Sequence, residues 1–441
     1  MRTLLFLISL TVSFSGLSQK KVVTYYDSEK TMVNEAYFVS TLNEDLYEGE
    51  YKKYHPNGTL AMEGTFKNGY KHGQFKEYYT NGQLNRSLLY IDGIKSGPVL
   101  VYDNTGHVIQ RATFAHNKLT DSLHTYYPGG AIRSRGYFKD DRPEGLLYEY
   151  FNNGQIKREI TYNSGQQTGI TKTWYDHGQL ESEGNYKNGI LHGYYVTYHP
   201  NGQIDTESQL LEGSKTGQFK NYDSLGNLLL IGNYQNGELH GENTAYYPDG
   251  KLMHTYMYDN GRMTGLNTQY YSDGTRQKEY DISKDGLERL IRHFNPSGVL
   301  VRTESYYKDE PHGEWVYFDP SGTKLKTAPY DMGKINGLVK EYYADGVVKR
   351  EITYKYDAMY GDLKTFYTNG MVESVTPYRN DMMHGKYIKY AADGATIITV
   401  GEYAGSRKVN EWTYYTENGE LEKTEVYKAG KLVETVDHND N

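Results

Sequence analysis

The sequence contains no cysteine. That excludes disulfides, zinc–thiolate sites, thiol nucleophiles and a lipidated amino-terminal cysteine. Proline is scarce, at 11 of 441 residues, and tryptophan scarcer, at 3. Little proline beside abundant glycine and aromatics excludes both a collagen-like chain and a disordered tail. Basic charge is not in excess: 48 Lys and Arg stand against 56 Asp and Glu, for a net charge of −8. The chain therefore has no basic footprint for a nucleic-acid backbone, and no nucleic-acid partner is expected. Beyond the first eighteen residues there is no apolar run long enough to suggest a transmembrane segment.

Two residue types are abundant instead, with 47 glycines and 48 tyrosines. This combination predicts many short strands joined by tight turns. The first eighteen residues are different in kind. Arg2 forms a short basic region, Leu4 to Phe14 an apolar one, and Gly16 and Ser18 are small residues at the −3 and −1 positions of a cleavage before Gln19. Residues 1–18 read as a signal peptide, so the chain is expected to be exported: periplasmic, outer-membrane-associated or secreted.

The rest follows one period of 24 residues. Glycine stands at every 24th position from Gly58 to Gly394, and Gly419 follows one residue late. A second slot, nine residues earlier, holds glycine from Gly49 to Gly385 except at Asp121, Arg289 and Asn410. A third slot, beginning at Gly69, holds glycine ten times and otherwise Asn117, Asp141, Asp285, Asp309, Asp357 and Asp381. Gly, Asn and Asp are the residues that tolerate positive φ, so this slot calls for a left-handed turn residue. The first glycine usually follows Asn, Asp or Ser, as at Asn57–Gly58 and Asn153–Gly154, which is read as a two-residue hairpin turn.

The apolar slots keep step. An aromatic always lies four residues before the first glycine, as at Tyr54, Tyr78 and Trp174; Leu, Ile or Val usually lies two after it, and a second aromatic eight after it, as at Phe66 and Tyr90. These are read as core. On the segment after Gly178, Leu180, Ser182, Gly184 and Tyr186 share one face, and Glu181, Glu183 and Asn185 the other. One buried and one wet face indicate an antiparallel sheet. A single unit offers about four apolar side chains, too few to offset ordering its backbone, so each hairpin needs its neighbours. The expected fold is all-β: an elongated array, an open solenoid, of antiparallel β-hairpin repeats. Residues 19–45 read as a degenerate amino-terminal capping repeat, with Lys30 in a glycine slot, 46–431 as sixteen repeats, and 432–441 as a frayed carboxy-terminal tail. The copy around Gly274 is the most degraded, with Arg276, Ile282, Asp285 and Arg289 breaking four slots, and a kink or looser joint is expected there.

The recurring string Tyr-Tyr-x-Asn-Gly-Gln-Leu…Gly-x-Tyr-Lys-Asn-Gly-x-x-His-Gly is clearest at Tyr78–Leu84, Gly184–Gly193 and Tyr198–Ile204. It resembles the MORN-repeat variant family, whose bacterial members include YwqK-like antitoxin-type repeat proteins, and the resemblance spans residues 46–431. It implies a ribbon of β-hairpins that binds proteins or lies against membranes, with no catalytic residues to carry across. An antitoxin-like neutralisation of a toxin is among the roles it implies.

Candidate chemistry is sparse. His72, His192, His240, His312 and His384 share the slot before the second glycine. Neighbouring copies lie roughly 9–10 Å apart at two strands each, whereas metal ligands converge to about 2 Å from one ion. They are read as polar turn residues. His107, His116 and His124 form a looser group. Asp249, Asp273 and Asp393 each supply one carboxylate where calcium takes six to eight oxygens, and are read as Asx turns. No P-loop, nucleophile elbow or H-E-x-x-H motif occurs. Neither catalytic residue, metal nor cofactor is expected. The aromatics directly after the core slot, Tyr79, Tyr127, Tyr175, Tyr247, Tyr271, Tyr343 and Tyr367, face the other way and form a second row, either an exposed contact surface or outer-face packing. The expected function is an exported, non-enzymatic scaffold binding a protein partner in the cell envelope. A glycan or cell-wall ligand on the exposed aromatics is the alternative, and a membrane surface is disfavoured by the acidic charge.

Overall fold

The structure, a computed structural model, describes residues 19–438. The expected signal peptide, 1–18, and the last three residues of the expected tail lie outside them. Forty-two strands and no helix occupy the described residues. The chain divides into two units at Ser214/Lys215. In the first, each strand pairs antiparallel with the next, from Gln19–Tyr25 against Val33–Ser40 to Ile190–Tyr198 against Ile204–Leu211. In the second the same order runs from Ser214–Tyr222 against Leu228–Gln235 to Leu421–Lys428 against Lys431–Asp437. Each unit is thus an open array of β-hairpins, the expected fold class.

The two turn types are exchanged relative to the sequence reading. At the first glycine, Gly58 N donates to His55 O at 2.8 Å and His55 N to Thr59 O at 2.8 Å. The turn therefore covers four residues, 55–58, and only its glycine is left-handed, at φ +83°. This is a type I turn closed by a glycine bulge, and the register shift falls on the invariant aromatic: Lys53/Tyr54, Glu77/Tyr78, Glu149/Tyr150. The two-residue turn is the other one. Asn68 and Gly69 have φ of +51° and +81° between the paired residues Lys67 and Tyr70. Both central residues are left-handed, the mark of a type I′ turn.

The third slot is left-handed where expected, with one exception. In the degraded copy the loop is longer, and Gly286 (φ +75°), not Asp285, takes that conformation. After Gly394 an extra residue enters the first turn, closed by Ala391 N on Thr396 O, so Gly405 (φ +59°) becomes the first left-handed residue of the next turn and Ser406 (φ +64°) the second. The recurrence of Asn and Asp also acquires a reason. Asp141 N donates to Leu119 O at 2.9 Å, and Leu119 N donates back to Asp141 Oδ1 at 2.7 Å. Asn117, Asp357 and Asp381 make the same return bond to Lys95, Ile335 and Met359. A glycine there ties successive hairpins with one hydrogen bond; Asn117, Asp141, Asp357 and Asp381 tie them with two.

The core also differs from expectation. The invariant aromatics at Tyr54, Tyr78 and Trp174 are half-buried at the bulges; of that slot only Phe294 is buried. The buried residues occupy two other slots, two residues after the second glycine and six after the first, which face each other across the ladder. Phe75 opposes Leu88, Val99 opposes Ala112, and Val339 opposes Ile352. In other pairs a large residue meets a small one: Phe219 faces Gly232, Trp315 faces Ala328 and Tyr387 faces Gly401. The second aromatics, Phe66, Tyr90 and Phe114 in one cluster and Tyr330, Tyr354 and Tyr378 in another, pack against these pairs, as aromatics of a half-buried face should.

At the amino end, Gln19–Tyr25 and Val33–Ser40 form a hairpin whose turn is held by Asp27, which accepts from Thr31 N, Thr31 Oγ1 and Met32 N. Lys30, in the glycine slot, has φ +58°. At the other end residues 432–437 are not frayed: they belong to the strand Lys431–Asp437, exposed throughout and paired with Leu421–Lys428. The degraded copy has no bulge in its second strand. Because Arg289 replaces the glycine, Arg276–Ile282 and Glu288–Phe294 pair from Lys278↔His293 to Ile282↔Arg289 without a register shift. In place of a looser joint there is an unbroken ladder.

Candidate functional site

The second aromatic row has a structural task. Each of its seven tyrosines is half-buried and reaches one repeat ahead. Tyr79 Oη donates to Tyr102 O, Tyr127 to Tyr150 O and Tyr175 to Tyr198 O, each at 2.8 Å. Tyr247, Tyr271, Tyr343 and Tyr367 do the same to Tyr270, Phe294, Phe366 and Tyr390 at 2.7–3.0 Å. Every acceptor is the carbonyl of the bulged aromatic, where the register shifts. Burial pushes the Tyr175 and Tyr367 phenols up. His55, in the same slot, places Nε2 at 3.0 Å from Tyr78 O. Asp103, Asp223 and Asp319 interrupt the row by capping their own turns instead. These rings are stitched into the sheet, and the hydroxyls are not free for a ligand.

The histidines separate along the array. His72, His240 and His312 each face an aspartate of the next hairpin turn, Asp92, Asp259 and Asp331, at 3.1, 3.4 and 3.5 Å. His107 precedes the strand Val108–Ala115 and His116 follows it, roughly 31 Å apart at 3.4 Å per residue. Asp249, Asp273 and Asp393 accept the backbone N–H two residues on, as Asx turns do.

Two surfaces escaped the sequence reading. The first is an apolar row on the wet face, formed by the residue after the second-slot glycine. Leu146, Ile170 and Tyr194, in three consecutive copies, are 45%, 54% and 50% exposed. Thr161 and Asn185, each paired to one of them across the ladder, stand between. The signal was available: the slot after the positional glycine, polar in most copies as at Glu50, Gln218 and Lys386, turns to Leu, Ile and Tyr in three consecutive ones. Leu266 and Leu338 repeat it in the second unit.

The second surface is a groove of about 760 Å³ beside the degraded copy. Its floor and walls include Leu290, Tyr306, Tyr307, His312 and Met332, with the carboxylates of Asp281, Glu288 and Asp331. Arg289 also lines it. That guanidinium lies over the Tyr306 ring, 4.9 Å from its centroid, and Nη1 meets Asp309 Oδ1 at 3.1 Å. Its Nε is buried without a hydrogen-bond partner. Beneath it, charge replaces the apolar core. Glu304, the partner of Ile291, is buried with His293 Nε2 at 3.0 Å and Arg302 Nε at 2.7 Å. Burial pulls the His293 imidazole down.

The family model for the MORN repeat variant matches eleven segments: 47–68, 71–92, 143–164, 167–188, 191–210, 215–236, 239–260, 311–332, 335–356, 359–380 and 408–429. Together they make up more than half of the chain. The chain belongs to the MORN repeat variant family. As a MORN-repeat protein it is a repeat scaffold, and the family is non-catalytic. No match to this MORN-repeat chain is found among curated proteins. Among solved structures it is similar to a TcdB2–TccC3 complex, at 11% identity and TM-score 0.15, covering 96% of this chain and 24% of that one. A TcdB2–TccC3–Cdc42 complex gives 11%, TM-score 0.15 and coverages of 95% and 31%. The Photorhabdus luminescens Tc holotoxin pore gives 11%, TM-score 0.14 and coverages of 95% and 29%. The chain thus spans about a quarter to a third of the length of those chains.

Proposed function

We propose that this protein is an exported, non-enzymatic MORN-repeat scaffold that binds a protein partner in the cell envelope. The observation that carries the reading is the row Leu146, Ile170 and Tyr194, held half-exposed at a two-strand spacing on a mostly polar face. A row of exposed apolar side chains set among polar ones suits protein contacts. The row is displayed on paired strands, so it enters an interface with little ordering cost. A glycan ligand on the second tyrosine row fits less well, because those hydroxyls are engaged in the sheet. Export, to the periplasm, outer membrane or medium, rests on the reading of residues 1–18.

The test is sedimentation of the purified protein with cell-envelope material before and after protease treatment of that material. Binding that protease abolishes, and that Leu146→Glu/Ile170→Glu/Tyr194→Glu also abolishes, is the expected result. Binding that survives protease assigns the ligand to glycan or lipid and overturns the reading.

A further inference from the structure

We propose that the groove beside the degraded copy is a socket for a lysine or arginine side chain on an extended segment of a partner protein. The inference rests on the scaffold reading and adds what the partner must carry.

Three observations converge on a cation. The first is charge. Asp281, Glu288 and Asp331 line the groove, Asp331 with His312 Nδ1 3.5 Å away, while its lining guanidinium, Arg289, is already met by Asp309. The second is the walls. Tyr307 and His312 present aromatic surface, and the chain itself shows that such a ring takes a cation: Lys308 Nζ lies 5.2 Å from the centroid of Tyr307. A cation between ring faces and carboxylates is held by both. The third is size. About 760 Å³ takes a long side chain and its flanking backbone, and falls within the range of ligand clefts.

The geometry of the occupant follows from the ladder. Leu266 pairs with Asp281, Asp281 with Leu290 and Leu290 with Ser305, all on the wet face. Leu266 is 54% exposed. A segment crossing these strands sets an apolar residue on Leu266 and delivers the cation past Leu290 to Glu288 and Asp331. The sequence supports a site rather than simple decay. This copy alone lacks the second glycine's bulge, among the described residues, and it buries two carboxylates, Glu279 and Glu304. Local rules are broken at a cost in stability, and the cavity is what the break leaves.

The probe is a fluorescein-labelled peptide, acetyl-Gly-Leu-Ser-Arg-Ser-Gly-amide, with a twin in which citrulline replaces arginine. Anisotropy with the full protein is expected to show at least tenfold tighter binding of the arginine peptide. Glu288→Gln/Asp331→Asn should reduce that preference to within twofold. Glu50→Gln/Glu181→Gln, which removes two exposed carboxylates elsewhere, should leave it intact. Met332→Arg supplies a cation at the groove mouth without deleting an acid, and should block the arginine peptide in a protein with the parent's circular dichroism. Equal binding of the two peptides, or equal loss in the remote variant, overturns the proposal. The two readings fail separately. An envelope partner captured equally by parent and Glu288→Gln/Asp331→Asn overturns the socket and leaves the scaffold standing. Envelope binding that survives protease overturns the scaffold and leaves the peptide result to decide the socket.

Discussion

At the scale of single residues, the stitches between repeats matter more than the slots that define them. Tyr175 is the first residue of its turn and donates to the carbonyl of Tyr198 in the next copy. Tyr175→Phe removes that bond and leaves a bulge carbonyl unpaired. A cost of about 0.5–1.5 kcal/mol is expected, read as faster hydrogen exchange in 169–204 with an unchanged core. If exchange there stays at the parent rate, the stitch is not stabilising. The turn slots make a sharper prediction. Gly189 has φ +81°, open space where a Cβ would stand, and an N–H bonded to Gln167 O. Gly189→Asp recreates the Asp141 arrangement, with a second bond to Gln167 N, so thermal unfolding should be unchanged or slightly later. Gly189→Val meets only the left-handed penalty, on the order of 1–2 kcal/mol, and should melt earlier. The sequence showed which residues this slot accepts, because positive φ filters residue types. It did not show why Asp recurs, because the acceptor's partner lies 22 residues back, outside any local window.

At the scale of the hairpin, the unit of packing is the cross-strand pair. No single core slot keeps one residue type, so periodicity passed over the core and settled on the bulge aromatic, which never varies. What recurs is the buried pair itself, in some copies a large residue with a small one, as Phe219 with Gly232 and Trp315 with Ala328, in others two apolar residues, as Val339 with Ile352 and Phe75 with Leu88. Slots read jointly would have exposed the core. Gly401 carries the test. A Cβ there would lie 2.1 Å from the Trp412 ring, and Trp412 is buried, so the ring must move. Gly401→Ala should lose about 1–3 kcal/mol. Gly401→Ala combined with Trp412→Leu should recover part of that loss, which a double-mutant cycle measures. The same hairpin carries a pH dependence. Burial pushes the Glu425 carboxyl up, but hydrogen bonds from Tyr414, Lys423 and Tyr427 outweigh it and bring the group down from 4.5 to about 2. A carboxylate lowered by folding stabilises above its unfolded value and loses that contribution as pH falls toward 2. The hairpin Arg407–Lys428 should therefore loosen between about pH 4.5 and 2, and Glu425→Gln should flatten that part of the profile. A parallel decline in the variant would place the acid sensitivity elsewhere.

At the scale of the whole chain, the strands pair with their sequence neighbours and, among the described residues, the bonds between turns reach one repeat and no farther: Tyr79 to Tyr102, Gly69 to Tyr47, Asp381 to Met359. Stability of such an array is a sum of repeat terms and nearest-neighbour terms, so damage travels only as far as those couplings carry it. This much was legible from the 24-residue period, which required each hairpin to lean on the next. The groove was not, since a degraded copy reads as noise until the pairing shows what its loop and its buried ions enclose. The consequence is open to measurement in the intact protein. Gly401→Ala should raise hydrogen exchange in 385–428, less in 358–379, and leave 70–115 at the parent rate. Urea unfolding followed by exchange should then show no common midpoint for the two regions. If 70–115 loosened in step with 385–428, the chain would be one cooperative body, and the socket beside Arg289 would feel a substitution anywhere in it. If it did not, each surface could change its partner while the other kept its own, because the scaffold between them transmits no strain.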